Sequence, residues 1–261
     1  MILVIDVGNT QTVLGLMEGE EVRERWRIST QRCTTDEFGM QVAQLLEHGG
    51  FGKGVVEGVI VSCVVPSSLY TITKGCRRYL GIEALVVGSG IRTGMRVRTD
   101  NPREVGADRI VNAVAALERL APPLVVVDFG TATTLDCVNH AGDYVGGAIA
   151  PGLQISADAL FHRTAKLPRV EVKRPRQVIG HNTTDSIQSG LFYGYLGLVE
   201  RLARECKAEL AGEAGMEVKC VATGGFSNLL GRACSEIDEV DEHLTLRGLS
   251  LLWHRNAEEA R

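Results

Sequence analysis

No apolar run in this chain approaches the length of a membrane span, so no transmembrane helix is expected. The start, MILVIDVGN, lacks a basic segment, and its apolar run is too short for the core of a secretion signal. That run therefore reads as part of the fold, and a cytoplasmic place is expected. No Cys-x-x-Cys pair occurs. Cys33, Cys63, Cys76, Cys137, Cys206, Cys220 and Cys234 are odd in number and scattered, which reads as reduced core thiols rather than a disulfide framework or a zinc site. A formal net charge of −4 gives generic nucleic-acid binding no electrostatic support, and no DNA-binding motif is recognisable. The phosphate-loop pattern GxxxxGK[ST] is also absent, so any phosphate chemistry here does without its lysine.

What is present is an ordinary globular composition: 261 residues, 44% hydrophobic and 23% charged, enough for one large domain or two modest ones. Short apolar runs predict strands at 2–5, 12–17, 22–28, 58–63, 84–87, 124–127, 133–138, 144–149 and 217–222. Longer periodic stretches predict helices at 36–48, 67–80, 103–120, 184–211 and 245–257. Strands and helices mixed at this spacing indicate an α/β architecture.

One pattern occurs twice. Ile2-Leu3-Val4-Ile5 leads into Asp6-Val7-Gly8-Asn9-Thr10-Gln11-Thr12, and Leu124-Val125-Val126-Val127 leads into Asp128-Phe129-Gly130-Thr131-Ala132-Thr133-Thr134. Aligned end to end, the copies share the Asp, the Gly and the final Thr. Their offset of 122 residues is near half the chain and suggests two duplicated lobes. Pro122-Pro123 stops the preceding helix, which divides the chain into an N-terminal lobe 1–121 and a C-terminal lobe 122–261. A strand, a tight turn and a second strand, with Asp at the mouth and Gly in the turn, expose backbone N–H groups to an anion. The aspartate adds a hard oxygen ligand for magnesium. The simpler reading of either copy is a hairpin turn, since Asp-x-Gly-Asn and Asp-x-Gly-Thr are ordinary turn sequences; the repetition favours the functional one.

Three further segments carry candidate chemistry. Val221-Ala222-Thr223-Gly224-Gly225 follows an apolar run, as either a strand-to-helix turn or a bare backbone against which an adenosine could lie. In 101–120, Asn101, Pro102 and Glu104 resemble the first positions of a helix, and Ile110, Val111, Val114, Leu117 and Leu120 form its buried stripe. Asp108 and Arg109 then fall in its first turns, as a surface ion pair or as a proton acceptor beside an anion clamp. Val105, Ala113, Ala115 and Ala116 widen the apolar face, which suggests burial on two sides. Thr183 or Thr184, with Asp185, would cap the helix expected from 184.

Together these residues resemble the type III pantothenate kinases, of the acetate kinase, sugar kinase and actin superfamily. The resemblance spans essentially the whole chain: D-x-G-N-T at Asp6–Thr10, N-P-x-E-x-G-A-D-R at Asn101–Arg109, D-x-G-T-A at Asp128–Ala132, G-G-x-I-x-P-G at Gly146–Gly152, G-x-N-T at Gly180–Thr183 and T-G-G at Thr223–Gly225. It implies two duplicated ribonuclease H-like lobes with a nucleotide cleft between them. The implied activity is ATP-dependent phosphorylation of pantothenate to 4′-phosphopantothenate, the first step of coenzyme A biosynthesis. It implies ATP binding by Asp6, Val7, Gly8, Asn9, Thr10, Gln11, Thr12 and Val13, with Thr131, Gly224 and Gly225. Asp6 would face magnesium, directly or through water, and Asp128 would hold potassium or ammonium. Gly106, Ala107, Asp108, Arg109 and Thr183 would bind pantothenate, with Asp108 as the catalytic proton acceptor. Where the family often has a tyrosine shortly before Asn-Pro, this chain has Thr99, which is assigned no role. The alternatives are another small-alcohol kinase of the superfamily and a non-catalytic transcriptional accessory protein. The expected assembly is a homodimer about the helix of 103–120, with no nucleic-acid or membrane partner.

Overall fold

A computed structural model describes residues 1–212 and 215–257, with Lys53 described by its backbone alone. Contacts group the chain into two compact units. The first comprises Met1–Gly94, Asn101–Ala115 and the segment from His243; the second comprises Met95–Asp100 and Ala116–Glu242.

In the first unit, β1 (Ile2–Val7), β2 (Gln11–Glu18), β3 (Glu21–Ser29), β4 (Gly58–Cys63) and β5 (Ala84–Val86) form one sheet in the order β3-β2-β1-β4-β5. The first three strands are an antiparallel meander; β4 runs parallel to β1, and β5 parallel to β4. Leu3, Ile5 and Val7 alternate onto one face, packed against Phe38, Val42 and Leu46 of α1 (Thr35–His48) and Ile72 and Cys76 of α2 (Pro66–Leu80). Helix α1 is fixed at its start by a reciprocal cap: Thr34 N–H donates to Glu37 Oε2 at 2.7 Å, and Glu37 N–H donates to Thr34 Oγ1 at 3.2 Å. The other sheet face receives α6 (Leu244–Ala257), whose Leu246 and Trp253 side chains lie where Cβ atoms at Gly15 and Gly58 would intrude.

The second unit repeats the plan. Strands β6 (Leu124–Phe129), β7 (Ala132–Val138), β8 (Tyr144–Pro151), β9 (Lys219–Gly224) and β10 (Glu239–Val240) form a sheet in the order β8-β7-β6-β9-β10. Its pairing senses match those of the first sheet strand for strand. Val125, Val127, Phe129, Leu135 and Cys137 face α5 (Thr183–Ala211) through Leu191, Phe192, Tyr195 and Val199. The α/β class and the internal duplication are thus as expected from the sequence.

The packing does not follow the expected division after residue 121. Helix α6 returns to the first sheet, and the segment 95–100 joins the second. Helix 103–120 is also shorter than expected. A one-turn 3-10 segment occupies Pro102–Glu104, capped by Asn101, whose Oδ1 accepts from Arg103 N–H at 3.2 Å. Val105 is then extended, and α3 (Ala107–Arg119) starts only after Gly106. The wide apolar face of α3 is consumed within its own chain: Val111, Ala113, Val114 and Ala115 are buried, and Gly248 of α6 lies against the Val111 carbonyl. That face therefore gives no argument for a dimer. Helix α4 (Leu153–Arg163) and the two-residue β10 had no sequence expectation; α4 buries only Leu153, so it shows almost no apolar period. Among the described residues no helix is long and apolar enough to cross a membrane.

Candidate active site

The two repeated turns are built alike but not to one length. Asp6 pairs with Val13 and Val7 with Thr12, which leaves four residues, 8–11, in the first turn. Asp128 pairs with Thr134 and Phe129 with Thr133, which leaves three, 130–132, in the second. Thr12 therefore corresponds to Thr133, and the end-to-end alignment of Thr12 with Thr134 is corrected by one residue. Both equivalent threonines are buried and their hydroxyls engaged. Thr12 Oγ1 bonds Thr30 Oγ1 at 2.9 Å. Thr133 bonds the Tyr195 hydroxyl, which donates to Pro151 O at 2.6 Å. The repeat extends to the neighbouring parallel strands, where Ser62 pairs with Asp6 and Thr223 with Asp128.

In the first turn Gly8 N–H donates to Gln11 O at 3.0 Å, with Asn9, Thr10 and Gln11 exposed at the tip. Val7 is buried in the sheet, so only its backbone is available to a ligand. Asp6 is partly exposed beside Cys63, whose thiol is pushed up from its ordinary pKa, first by burial and further by the Asp6 charge. A thiol held neutral in this way is a poor nucleophile.

In the second turn Gly130 N–H donates to Ala132 O at 3.1 Å and Thr131 is exposed. Two glycines let other backbone approach this turn. Gly224, at φ 90°, lies so close to Asp128 that a Cβ would collide with its Oδ1 and stand 2.7 Å from Phe129 N. Gly152 lies under Thr131 and Gly130, where a Cβ would stand 2.7 Å from Gly130 O. One side of the Asp128 carboxylate thus lies against the bare backbone of Gly224, with Gly130 beyond it, a glycine cradle on that side. Among the described residues no group of three or more His, Cys, Asp or Glu side chains gathers as a metal site.

Asp108 stands at the second position of α3. Its Oδ1 accepts from Arg109 N–H at 2.8 Å, and a Cβ at Gly106 would stand 2.5 Å from the same oxygen. The glycine at 106 therefore both breaks the helix and makes room for the carboxylate. Burial raises the Asp108 pKa above the ordinary aspartate value; the Arg109 N–H and guanidinium, which lower it, offset only part of that. A carboxylate raised this way is a better proton acceptor than a solvated one.

Thr183 is the first residue of α5, but the cap is Asn182, not Thr183 or Thr184: Asp185 N–H donates to Asn182 Oδ1 at 2.9 Å. Gly180, Asn182 and Thr183 line an open groove of about 600 Å³, closed on its apolar side by Leu160, Leu167, Ile187 and Leu191.

The sequence comparisons decide what this geometry belongs to. The family model for type III pantothenate kinase matches residues 2–205. A type III pantothenate kinase from Halalkalibacterium halodurans is 48% identical over 257 residues, covering 98% of this chain and 100% of its own. The chain belongs to the type III pantothenate kinase family. Solved structures agree on the fold alone. A protein from Campylobacter jejuni described as a Baf family transcriptional activator matches with a TM-score of 0.61 at 18% identity, over 98% of this chain and 100% of that one. The activator of 2-hydroxyisocaproyl-CoA dehydratase from Clostridium difficile, solved with bound ADPNP, matches with a TM-score of 0.51 at 12% identity, over 99% of this chain and 97% of that one.

Within this kinase family member, the first unit holds Asp6–Val13 and Gly106–Arg109, and the second holds Thr131, Asp128, Gly224, Gly225 and Thr183. In the second unit the structure joins Asp128 to Gly224 directly. The sequence marked Gly152 only as the end of the motif Gly146–Gly152 and gave it no role.

Gly225 offers a clean probe, because a Cβ there meets nothing within 4 Å. Gly225→Ala is expected to keep the parent melting temperature. If nucleotide lies on this backbone, the KM for ATP rises about tenfold, equivalent to about 1.4 kcal/mol of binding. An unchanged KM would remove Gly225 from the nucleotide site.

Proposed function

We propose that the chain transfers the γ-phosphoryl group of ATP to the primary hydroxyl of pantothenate, giving 4′-phosphopantothenate. The observation that carries this reading is Asp108: a carboxylate made more basic by burial, held by the Arg109 N–H, at the mouth of a glycine-broken helix. Family membership favours pantothenate over another small alcohol and over a non-catalytic accessory role.

Phosphoryl transfer needs positioning and charge stabilisation more than covalent help from the protein. The backbone of Asp6–Val13, with the exposed tip Asn9-Thr10-Gln11, is the first phosphate-binding turn. Thr131 takes a phosphate oxygen at the second, and Gly224-Gly225 offers a flat backbone to the adenosine. Gly106, Ala107 and Arg109 hold pantothenate, Arg109 through its carboxylate, and Thr183 adds a hydroxyl. Asp108 accepts the alcohol proton late, once the hydroxyl has become acidic. Asp6 fits magnesium, which binds few protein ligands, keeps several waters and would neutralise the phosphates. Asp128 in its glycine cradle fits potassium or ammonium, which would supply positive charge where the chain has no phosphate-loop lysine. A homodimer in the cytoplasm, with no nucleic-acid or membrane partner, completes the proposal; the dimer rests on the family resemblance.

ADP release tests the reading. It is expected only when pantothenate is present, and faster in potassium than in sodium buffer at equal ionic strength. Equal release without pantothenate, or preference for a hexose, glycerol or acetate, would overturn the assignment.

A further inference from the structure

A buried polar cluster behind the second turn is used by none of the roles above. Asp136 of β7 is fully buried, and so is Tyr144 at the start of β8. The Tyr144 hydroxyl donates to Asp136 Oδ1 at 2.8 Å. The Thr134 hydroxyl donates to Asp136 Oδ2 at 3.0 Å. Taking a carboxylate out of water is costly, and an apolar side chain of similar volume often packs there more stably. Such a group in the middle of a sheet calls for a reason beyond packing.

Its position supplies one. Thr134 is the cross-strand partner of Asp128, so the two side chains leave the same sheet face with Cβ atoms about 4.5–5.5 Å apart. A hydroxyl has one proton, and that of Thr134 is committed to Asp136. Towards Asp128, Thr134 therefore presents lone pairs only. That is the electrostatics of a cation ligand: an anionic oxygen on one strand, a neutral acceptor on the next, and the bare backbone of Gly224 against the anionic oxygen.

Tyr144 is itself held from the far side. Its N–H donates to Arg96 O at 2.8 Å, and its carbonyl accepts from Arg98 N–H at 2.7 Å. The Arg98 guanidinium pairs with buried Asp143 at 2.7 Å. These bonds fix the Tyr144 backbone, and its ring is fully buried.

We infer that Asp136 and Tyr144 are positioning residues: they lock the Thr134 hydroxyl so that its lone pairs, with the Asp128 carboxylate, hold the monovalent cation. The inference rests on the reading of Asp128 as the cation ligand, and its test separates the two. Thermal unfolding is followed as potassium replaces choline at constant ionic strength, with a non-hydrolysable ATP analogue and magnesium present. The potassium concentration at half-maximal stabilisation is the readout, since a ligand that binds only the folded state raises stability by mass action.

Loss of an outer contact to a metal ligand typically costs 10–100-fold in affinity. Tyr144→Phe and Thr134→Val, each removing one hydroxyl with little change of shape, are expected to raise the midpoint at least about tenfold on that scale. Thr134→Ser, which keeps the hydroxyl, is expected to stay within about twofold of the parent. Lower melting temperatures in Tyr144→Phe and Thr134→Val with an unchanged potassium midpoint would make the cluster merely structural and overturn the inference. A parent protein that shows no potassium-dependent shift would instead remove the cation from Asp128, and the inference with it.

Discussion

Asp108→Asn is expected to lower kcat about 10²–10⁴-fold while making the protein more stable at neutral pH, and both effects follow from one observation. The range is that of a positioned acid–base group. Burial raises the Asp108 pKa above its unfolded value. The folded state therefore binds this proton more tightly than the unfolded chain does. The stability this affinity contributes is complete below the unfolded pKa and is lost as pH rises through the folded pKa. Above the unfolded pKa the parent has therefore begun to lose that stability, and above the folded pKa the desolvation cost of the carboxylate falls on the folded state. Asparagine cannot ionise, so the variant gains in melting temperature at neutral pH and converges on the parent in acid. In the active parent, kcat/KM has an acid limb raised above the ordinary aspartate value, because only ionised Asp108 can accept the proton. The residual activity of the variant lacks that limb. Activity within a few-fold of the parent, or a variant less stable at neutral pH, would remove the proton-acceptor role.

The stability gain also bears on how Gly106 and Asp108 were read. The motif Gly-Ala-Asp-Arg was legible, but its geometry was not. A helix from 103 places Asp108 in the first turns of an unbroken helix, where a solvated ion pair with Arg109 is the simpler reading. The structure begins the helix at Ala107 and puts Asp108 in its first turn, beside a glycine with no side chain to cover it. Local signals at Asn101, Pro102 and Glu104 were real, yet they cap a single 3-10 turn. No pattern of near neighbours distinguishes that turn from the helix it precedes.

The same limit explains the rest. Apolar runs marked most of the central strands, because strands buried on both faces are continuous in Val, Ile and Leu. The duplication was visible because both copies keep the aspartate and the first glycine. The one-residue difference in turn length was not, since identity at the last threonine outweighed register. It took the pairing of Asp6 with Val13 and of Asp128 with Thr134 to match Thr12 with Thr133. Asp136 hid in a strand whose alternation, Thr134-Leu135-Asp136-Cys137, is that of a sheet with one wet face. It is buried because Tyr144 covers it from the adjoining strand β8, a contact that alternation cannot report. Helix α6 returns to the first sheet across more than 150 intervening positions for a related reason: only a completed sheet face shows which apolar stripe fills it.

Gly224→Ala is expected to do the most damage for the smallest change, and to do it differently from its neighbour. The residue sits at φ 90°, where an L side chain is strained by about 1–3 kcal/mol. Its new methyl would collide with Asp128 Oδ1 and approach Phe129 N and C to 2.7 Å. Phe129 ends β6, paired to β7 on one side and β9 on the other, so its backbone has little room to yield. Overpacking of this kind adds typically about 1–3 kcal/mol. The side chain that can move is Asp128. A displacement near 1 Å in a positioning group can cost about 10²-fold in turnover. The expected protein is therefore folded but less stable by about 2–6 kcal/mol, the sum of those two ranges. It also turns over roughly 10²-fold more slowly and responds only weakly to potassium. Differential scanning calorimetry with steady-state kinetics in potassium and sodium checks both halves. Gly225→Ala, one residue on with a Cβ that meets nothing within 4 Å, is the control for stability and for the potassium response: it shares the composition change and none of the strain. A Gly224→Ala protein with parent stability and a parent potassium response would show that Asp128 does not depend on the bare backbone beneath it, and the cation cradle would fall with that result.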